Sequence, residues 1–112
     1  MLDRFEVSLL MDYYGCLLTE KQINIMNMYF NEDLSLAEIA EINHTSRQAI
    51  HDLIKRCYKQ LVVHEEKLGL LQKNKIRNDK GNQLIMLLEK KSDLDKNLIE
   101  KIRNNIDDII NA

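Results

Sequence analysis

Proline and tryptophan are missing from this chain, and glycine occurs only three times in 112 residues. Without proline, no helix has an obligatory break, and so few glycines leave few places where the backbone turns left-handed at no steric cost. Aromatic residues make up 5% of the chain. Alternating runs of Val, Thr and Tyr are lacking, which argues against strands. No run reaches the roughly 20 apolar residues that a membrane-spanning helix needs. The amino terminus, MLDRFEVSLLMDYYG, carries acids inside its apolar stretch and no cleavage-like end, unlike a signal peptide. These absences point to a cytoplasmic protein with no membrane partner. Cys16 and Cys57 are the only cysteines and form no CxxC. That excludes a disulfide framework and a zinc site. Both fall on apolar helical faces and are expected to be buried, reduced and inert.

What is present is helical. Hydrophobic residues make up 45% of the chain, enough for a core, and Leu, Ile, Met, Glu and Lys are helix formers. The composition therefore reads as all-α. The net charge of −2 is unevenly spread: residues 1–45 carry −6, residues 46–80 carry +5 and residues 81–112 carry −1. A basic middle third between acidic flanks fits a nucleic-acid partner better than the sum suggests.

Helical spacing places Phe5, Leu9, Leu10, Tyr13 and Leu17 on a first stripe that ends near Gly15. Thr19 and Gln22 have the spacing of a capping box, in which each side chain satisfies a backbone N–H of the other residue. Ile23, Met26 and Tyr29 or Phe30 form the stripe that follows. Ser35 and Glu38 repeat the box and open a short helix, with Leu36, Ile39 and Ala40 facing inward. Asn43, His44 and Thr45 form a turn. His44 stands where a residue that tolerates positive φ is easier to place. Ser46 caps the next helix, although Thr45 and Gln48 also have box spacing. Ile50, Leu53, Ile54, Cys57 and Leu61 keep one face of that helix apolar as far as Gly69, and Leu68, Leu71 and Ile76 extend the stripe. Residues 72–82 are polar and basic, with Asn78 and Gly81 as turn formers, and read as a hinge. Leu84, Leu87 and Leu88 mark a further helix. Leu98, Ile102, Ile106 and Ile109, widened by Ile99 and Ile110, mark the last, and Ser92 or Asp93 separates the two. The expected organisation is a domain over residues 1–70 and a helical extension over 71–112. The apolar stripes of residues 84–110 suit a homodimer contact.

A short helix, a three-residue turn and a second amphipathic helix outline a helix-turn-helix over residues 35–56. Ala40 supplies the small side chain that the crossing of its two helices requires, and Ile50 and Leu53 close the wedge. Recognition helices read base edges from their first turns, and their amino-terminal amides and nearby cations hold phosphates. The candidate contacts are Ser46, Arg47, Gln48, His51, Lys55, Arg56 and Lys59. Arg47 matches guanine and Gln48 matches adenine. His51, Lys55 and Lys59 continue the face, and Arg56 is better placed for the backbone. The same charges also fit a solvated surface or a protein contact. Asp52 lies near the surface that would meet phosphates.

Catalytic and cofactor chemistry finds no foothold. His44, His51 and His64 are scattered and lack ligand spacing. Ser46 has no nucleophile-elbow context, and no glycine-rich phosphate loop exists. The reading is non-enzymatic, with no cofactor and no metal.

Residues 19–61 resemble region 4 of bacterial sigma factors. The DYYGCLLTEKQ opening, the SLAEIAE and SRQAIHDLIKR helices and the following EEKL are similar to the YlxM family of small bacterial proteins. The resemblance spans residues 5–70. It implies a sigma region 4-like helix-turn-helix of the winged-helix-type superfamily without a wing, here followed by C-terminal amphipathic helices. Family members are usually encoded beside signal recognition particle components. The resemblance therefore implies a regulatory role in that pathway, either through DNA or RNA, or as an adaptor binding the particle's GTPases or RNA. The chain departs from the family pattern in the turn, at Asn43, His44 and Thr45. It also lacks the other sigma regions and is too short to melt a promoter.

Overall fold

The computed structural model describes residues 3–91 and 93–112. It contains six α-helices: α1 (Arg4–Tyr14), α2 (Glu20–Phe30), α3 (Leu36–Ile42), α4 (Arg47–Leu68), α5 (Leu70–Glu89) and α6 (Lys96–Asn111), with a single 3₁₀ turn at Gly15–Leu17. The described residues contain no strand, as the composition requires. The chain divides into two compact units, Met1–Leu71 and Gln72–Ala112.

In the first unit, short polar side chains set where each helix begins. Asp3 accepts from the Phe5 amide and starts α1. Thr19 and Gln22 form a complete capping box on α2, and Ser35 and Glu38 form one on α3. Ser46, not Thr45, caps α4 by accepting from the Ala49 amide at 3.1 Å. Such caps contribute about 1 kcal/mol each because they satisfy amides that the helix itself leaves orphaned.

The α3–α4 turn is a Schellman motif. The Thr45 amide donates to the Ala40 carbonyl at 2.9 Å and the His44 amide to that of Glu41 at 3.2 Å. His44 accordingly takes a left-handed φ of 53°, as its place in the turn demands. The Asn43 side-chain amide donates to the Ile39 carbonyl at 2.8 Å and secures the helix end. Polar contacts of this kind hold Asn43 at the end of α3.

The core gathers α1 to α4 around Leu10, Tyr14, Ile25, Met26, Ile39, Ile50 and Leu61. Ile39, Ala40, Ile50, Ile54, Cys57 and Leu61 are buried as their spacing predicts, with Leu36 and Leu53 half-buried. The first stripe differs in part from expectation. Leu10 is buried and Leu9 and Tyr13 are half-buried, but Phe5 and Leu17 are exposed, and α1 buries Val7, Met11 and Tyr14 beside Leu10. Both sets have helical spacing; the buried one is the set that meets α2 and α4. In α2 the buried residues are Ile25, Met26 and Phe30, and Ile23 and Tyr29 pack at their edge. Cys57 is buried as expected, and burial pushes its thiol pKa up. Cys16 is exposed, because the 3₁₀ turn rotates it off the α1 face. Gly15 does not act as a left-handed stop (its φ is −58°). Its missing side chain makes room for Ile23, whose Cδ1 would lie 2.9 Å from a Cβ there.

Helix α4 ends at Gly69, which adopts a left-handed φ of 63°. The start of α5 is then held by two side chains of the first unit. The Tyr14 hydroxyl donates to Glu65 Oε1 at 2.6 Å and accepts from the Leu70 amide at 3.1 Å. Glu65 Oε1 also accepts from the Leu71 amide at 3.0 Å. Of the residues expected to extend the α4 stripe, Leu71 is buried, whereas Leu68 and Ile76 are exposed.

The second unit is a pair of helices. Residues 72–82, expected to form a hinge, are helical throughout. Asn78 bonds back to the Asn74 carbonyl and side chain at 3.0 and 2.9 Å instead of turning the chain. Gly81 is a contact point: a Cβ there would lie 2.8 Å from Ile110 Cδ1 and 2.9 Å from Ile106 Cγ2. The side chains buried here are Ile85 and Ile110, while Leu84, Leu87, Leu98 and Ile109 remain exposed. Asp95 caps α6 by accepting from the Asn97 amide. Asp93, one of the two residues expected to separate the helices, lies in the preceding turn, and Ser92, the other, lies outside the described residues.

Candidate nucleic-acid interface

The α3–α4 pair fixes the attitude of α4 through the buried Ala40, Ile50 and Ile54 and the bonded turn between the helices. Its solvent side carries the predicted contacts. Arg47, Gln48, Lys55, Arg56 and Lys59 are exposed, His51 is half-buried, and Ser46 is occupied as the cap. Arg47, His51 and Lys55 follow one another at steps of four and share a face, with Gln48 and Lys59 alongside. Arg56 projects further round the helix, away from this group. Among the described residues, no carboxylate lies within ion-pair distance of Arg47, Lys55, Arg56 or Lys59.

Two shallow hollows meet at His51. One is lined by Leu36, Arg47, Gln48 and His51. The other is lined by Arg4, Tyr29, Phe30, Leu36, His51, Ile54 and Lys55. Arg4 is a cation at this surface that sequence reasoning missed. Its Nη1 donates to the Tyr29 carbonyl at 2.8 Å and pairs with Asp33 at 2.9 Å, and its guanidinium lies 5.2 Å from the Tyr29 ring centroid. The one advance signal was that Arg4 and Lys21 are the two cations of a first third that carries eight acids.

Asp52 acts within the candidate site instead of merely lying near it. Gln48 Nε2 donates to Asp52 Oδ1 at 3.0 Å. His51 Nδ1 is shielded from solvent and has no hydrogen-bond partner among the described residues; Asp52 Oδ1 is 3.8 Å away. The pair went unread in the sequence, although its spacing, four apart on a helix, is the signal that finds such contacts.

The positive charge of residues 46–80 is divided between the two units. Arg47, Lys55, Arg56, Lys59 and Lys67 lie on α4, while Lys73, Lys75, Arg77 and Lys80 lie on the part of α5 that belongs to the second unit. Among the described residues, no group of three or more His, Cys, Asp or Glu side chains could hold a metal ion. No helix among them is long and apolar enough to cross a membrane.

Residues 1–107 match the UPF0122 family, described as helix-turn-helix proteins of the YlxM / p13-like kind. The chain is 58% identical over 112 residues to a UPF0122 protein of Clostridium perfringens (strain 13 / Type A), covering 100% of both. It is 58% identical over 109 residues to one of Clostridium botulinum (strain Alaska E43 / Type E3), covering 93% of this chain and 99% of the relative. A Clostridium acetobutylicum relative is 49% identical over 111 residues, covering 95% of this chain and 96% of its own length.

Proposed function

Because the chain belongs to the YlxM / p13-like helix-turn-helix family, we propose that it is a DNA-binding regulator that lays the first turns of α4 in the major groove. The activity is recognition, not chemistry. The observation that carries this reading is the row of exposed cations on α4, none of them within ion-pair distance of a carboxylate among the described residues. Cations held on a rigid helix release counterions when they meet phosphates. Binding to duplex DNA therefore weakens steeply as salt rises. Arg47→Ala combined with Lys55→Ala lowers affinity about tenfold or more and flattens the salt slope by about two. Unchanged DNA affinity in that double variant overturns the assignment.

A second reading has its own observation. All eight acidic residues of segment 1–45 are exposed, a surface suited to a basic partner. Together with the resemblance to a family encoded beside signal recognition particle components, this supports an adaptor that acts on the particle, through its GTPases by the acidic surface or through its RNA by the α4 cations. Co-purification with particle components from a cytoplasmic lysate, surviving nuclease treatment, supports a protein contact. Its absence at micromolar concentrations removes this reading. For residues 84–110 we propose a homodimer contact, supported by the exposed Leu84, Leu87, Leu98 and Ile109. Sedimentation that finds only monomer at tens of micromolar removes it.

A further inference from the structure

We infer that Asp52 is a positioning residue that fixes the donor–acceptor order of the Gln48 amide and so sets which base edge α4 reads. The inference rests on the reading of α4 as the DNA-contacting helix. A glutamine amide that is free to rotate about its last torsion presents oxygen and nitrogen in either order, and so discriminates poorly between base edges. An ionised carboxylate only accepts hydrogen bonds. The amide nitrogen must therefore face Asp52, and it does, with Gln48 Nε2 3.0 Å from Asp52 Oδ1. Gln48 Oε1 is thereby directed away, and one N–H remains unused. An acceptor beside a donor, in fixed order, matches the N6–H and N7 pattern of adenine in the major groove.

Asp52 also sets a limit on affinity. It is exposed on the same helix as Arg47 and Lys55, and its negative charge opposes the approach of phosphates. The residue trades electrostatic attraction for a single amide orientation. His51 adds no second constraint on Asp52, because its Nδ1 stands 3.8 Å from the carboxylate, beyond hydrogen-bonding distance.

The experiment is binding-site selection from a pool of randomised DNA duplexes, with affinities measured on the selected sequence and on its single-base variants. Wild-type protein prefers adenine at one position by about fivefold or more, the range of a good bidentate contact. Asp52→Ala binds more tightly overall but loses most of that preference. Asp52→Asn, whose amide can either accept or donate and so no longer dictates which end of Gln48 faces it, binds more tightly and loses part of the preference. Gln48→Ala loses the preference without gaining affinity. If Asp52→Ala keeps the wild-type preference, the positioning role is wrong while the DNA-binding reading stands. If wild type and the Arg47/Lys55 double variant bind the pool alike, the interface itself is wrong.

Discussion

In Met1–Leu71, fifteen side chains among the described residues form a single buried cluster, and α1 to α4 each start at a side-chain cap. In Gln72–Ala112, two helices of comparable length bury Ile85 and Ile110 and leave six large apolar side chains exposed. The helix-forming composition of the two regions is similar. What differs is the number of elements that surround each stripe. A helix gains most of its stability from packing and little from propensity. Four helices can enclose a core, whereas two can cover only one side of each other. The first unit therefore carries the stability of its own fold, in which α4 packs against α1, α2 and α3.

Substitutions in the two units should separate these roles, and the largest effect is expected in the first. Ile50 is 1% exposed, and Ile50→Ala should destabilise the protein by about 2–5 kcal/mol in urea unfolding. Leu84→Ala in the second unit should change it little. Equal losses at the two positions would erase the contrast.

Next comes the network that starts α5. Tyr14→Phe removes a hydroxyl that serves both Glu65 and the Leu70 amide, and should cost about 1.5–3 kcal/mol. Burial, aided by Glu65, pushes the Tyr14 pKa above its ordinary 10.0. A raised folded-state pKa means that the neutral form stabilises the fold below pH 10 and that this stability is lost as pH rises further. Wild type should therefore weaken in strong alkali more than Tyr14→Phe does.

Gly81→Val should cost about 1–3 kcal/mol through overpacking against Ile106 and Ile110. Hydrogen exchange should rise over residues 96–111 and stay unchanged over α2 to α4. Loss of protection throughout would show that the units do not fold separately.

The smallest effect is expected at an exposed cap. Hydrogen bonds from the Ser35 backbone and side chain hold the Glu38 carboxyl pKa below its ordinary 4.5. A lowered folded-state pKa contributes stability above pH 4.5, which is lost as pH falls through the folded value. The melting temperature of wild type should exceed that of Glu38→Ala at neutral pH, and the gap should narrow in acid.

Where helices start was largely legible in the sequence, and which faces they bury was less so. The boxes at Thr19–Gln22 and Ser35–Glu38 were readable because each is completed within four residues. Arg47, Gln48, Lys55 and Lys59 were readable as one exposed side of α4 for the same reason. Arg4 was not, because it reaches this surface through Tyr29 and Asp33, far along the chain. The polarity of residues 72–82 suggested a hinge, but a polar segment is equally at home on the outer face of a helix. Gly81 was read as a turn former when its lack of a side chain serves the approach of α6.

The sequence alone determined the all-α class, the capping boxes at Thr19–Gln22 and Ser35–Glu38 and the spacing of charges along α4, because these depend on residues within one or two turns of each other. Only the tertiary structure decided that α1 buries Val7, Met11 and Tyr14 and exposes Phe5, and that Cys16 lies outside while Cys57 lies inside. Two stripes on one helix can have equal periodicity, and burial belongs to the pair of surfaces that meet, which one stretch of sequence does not contain.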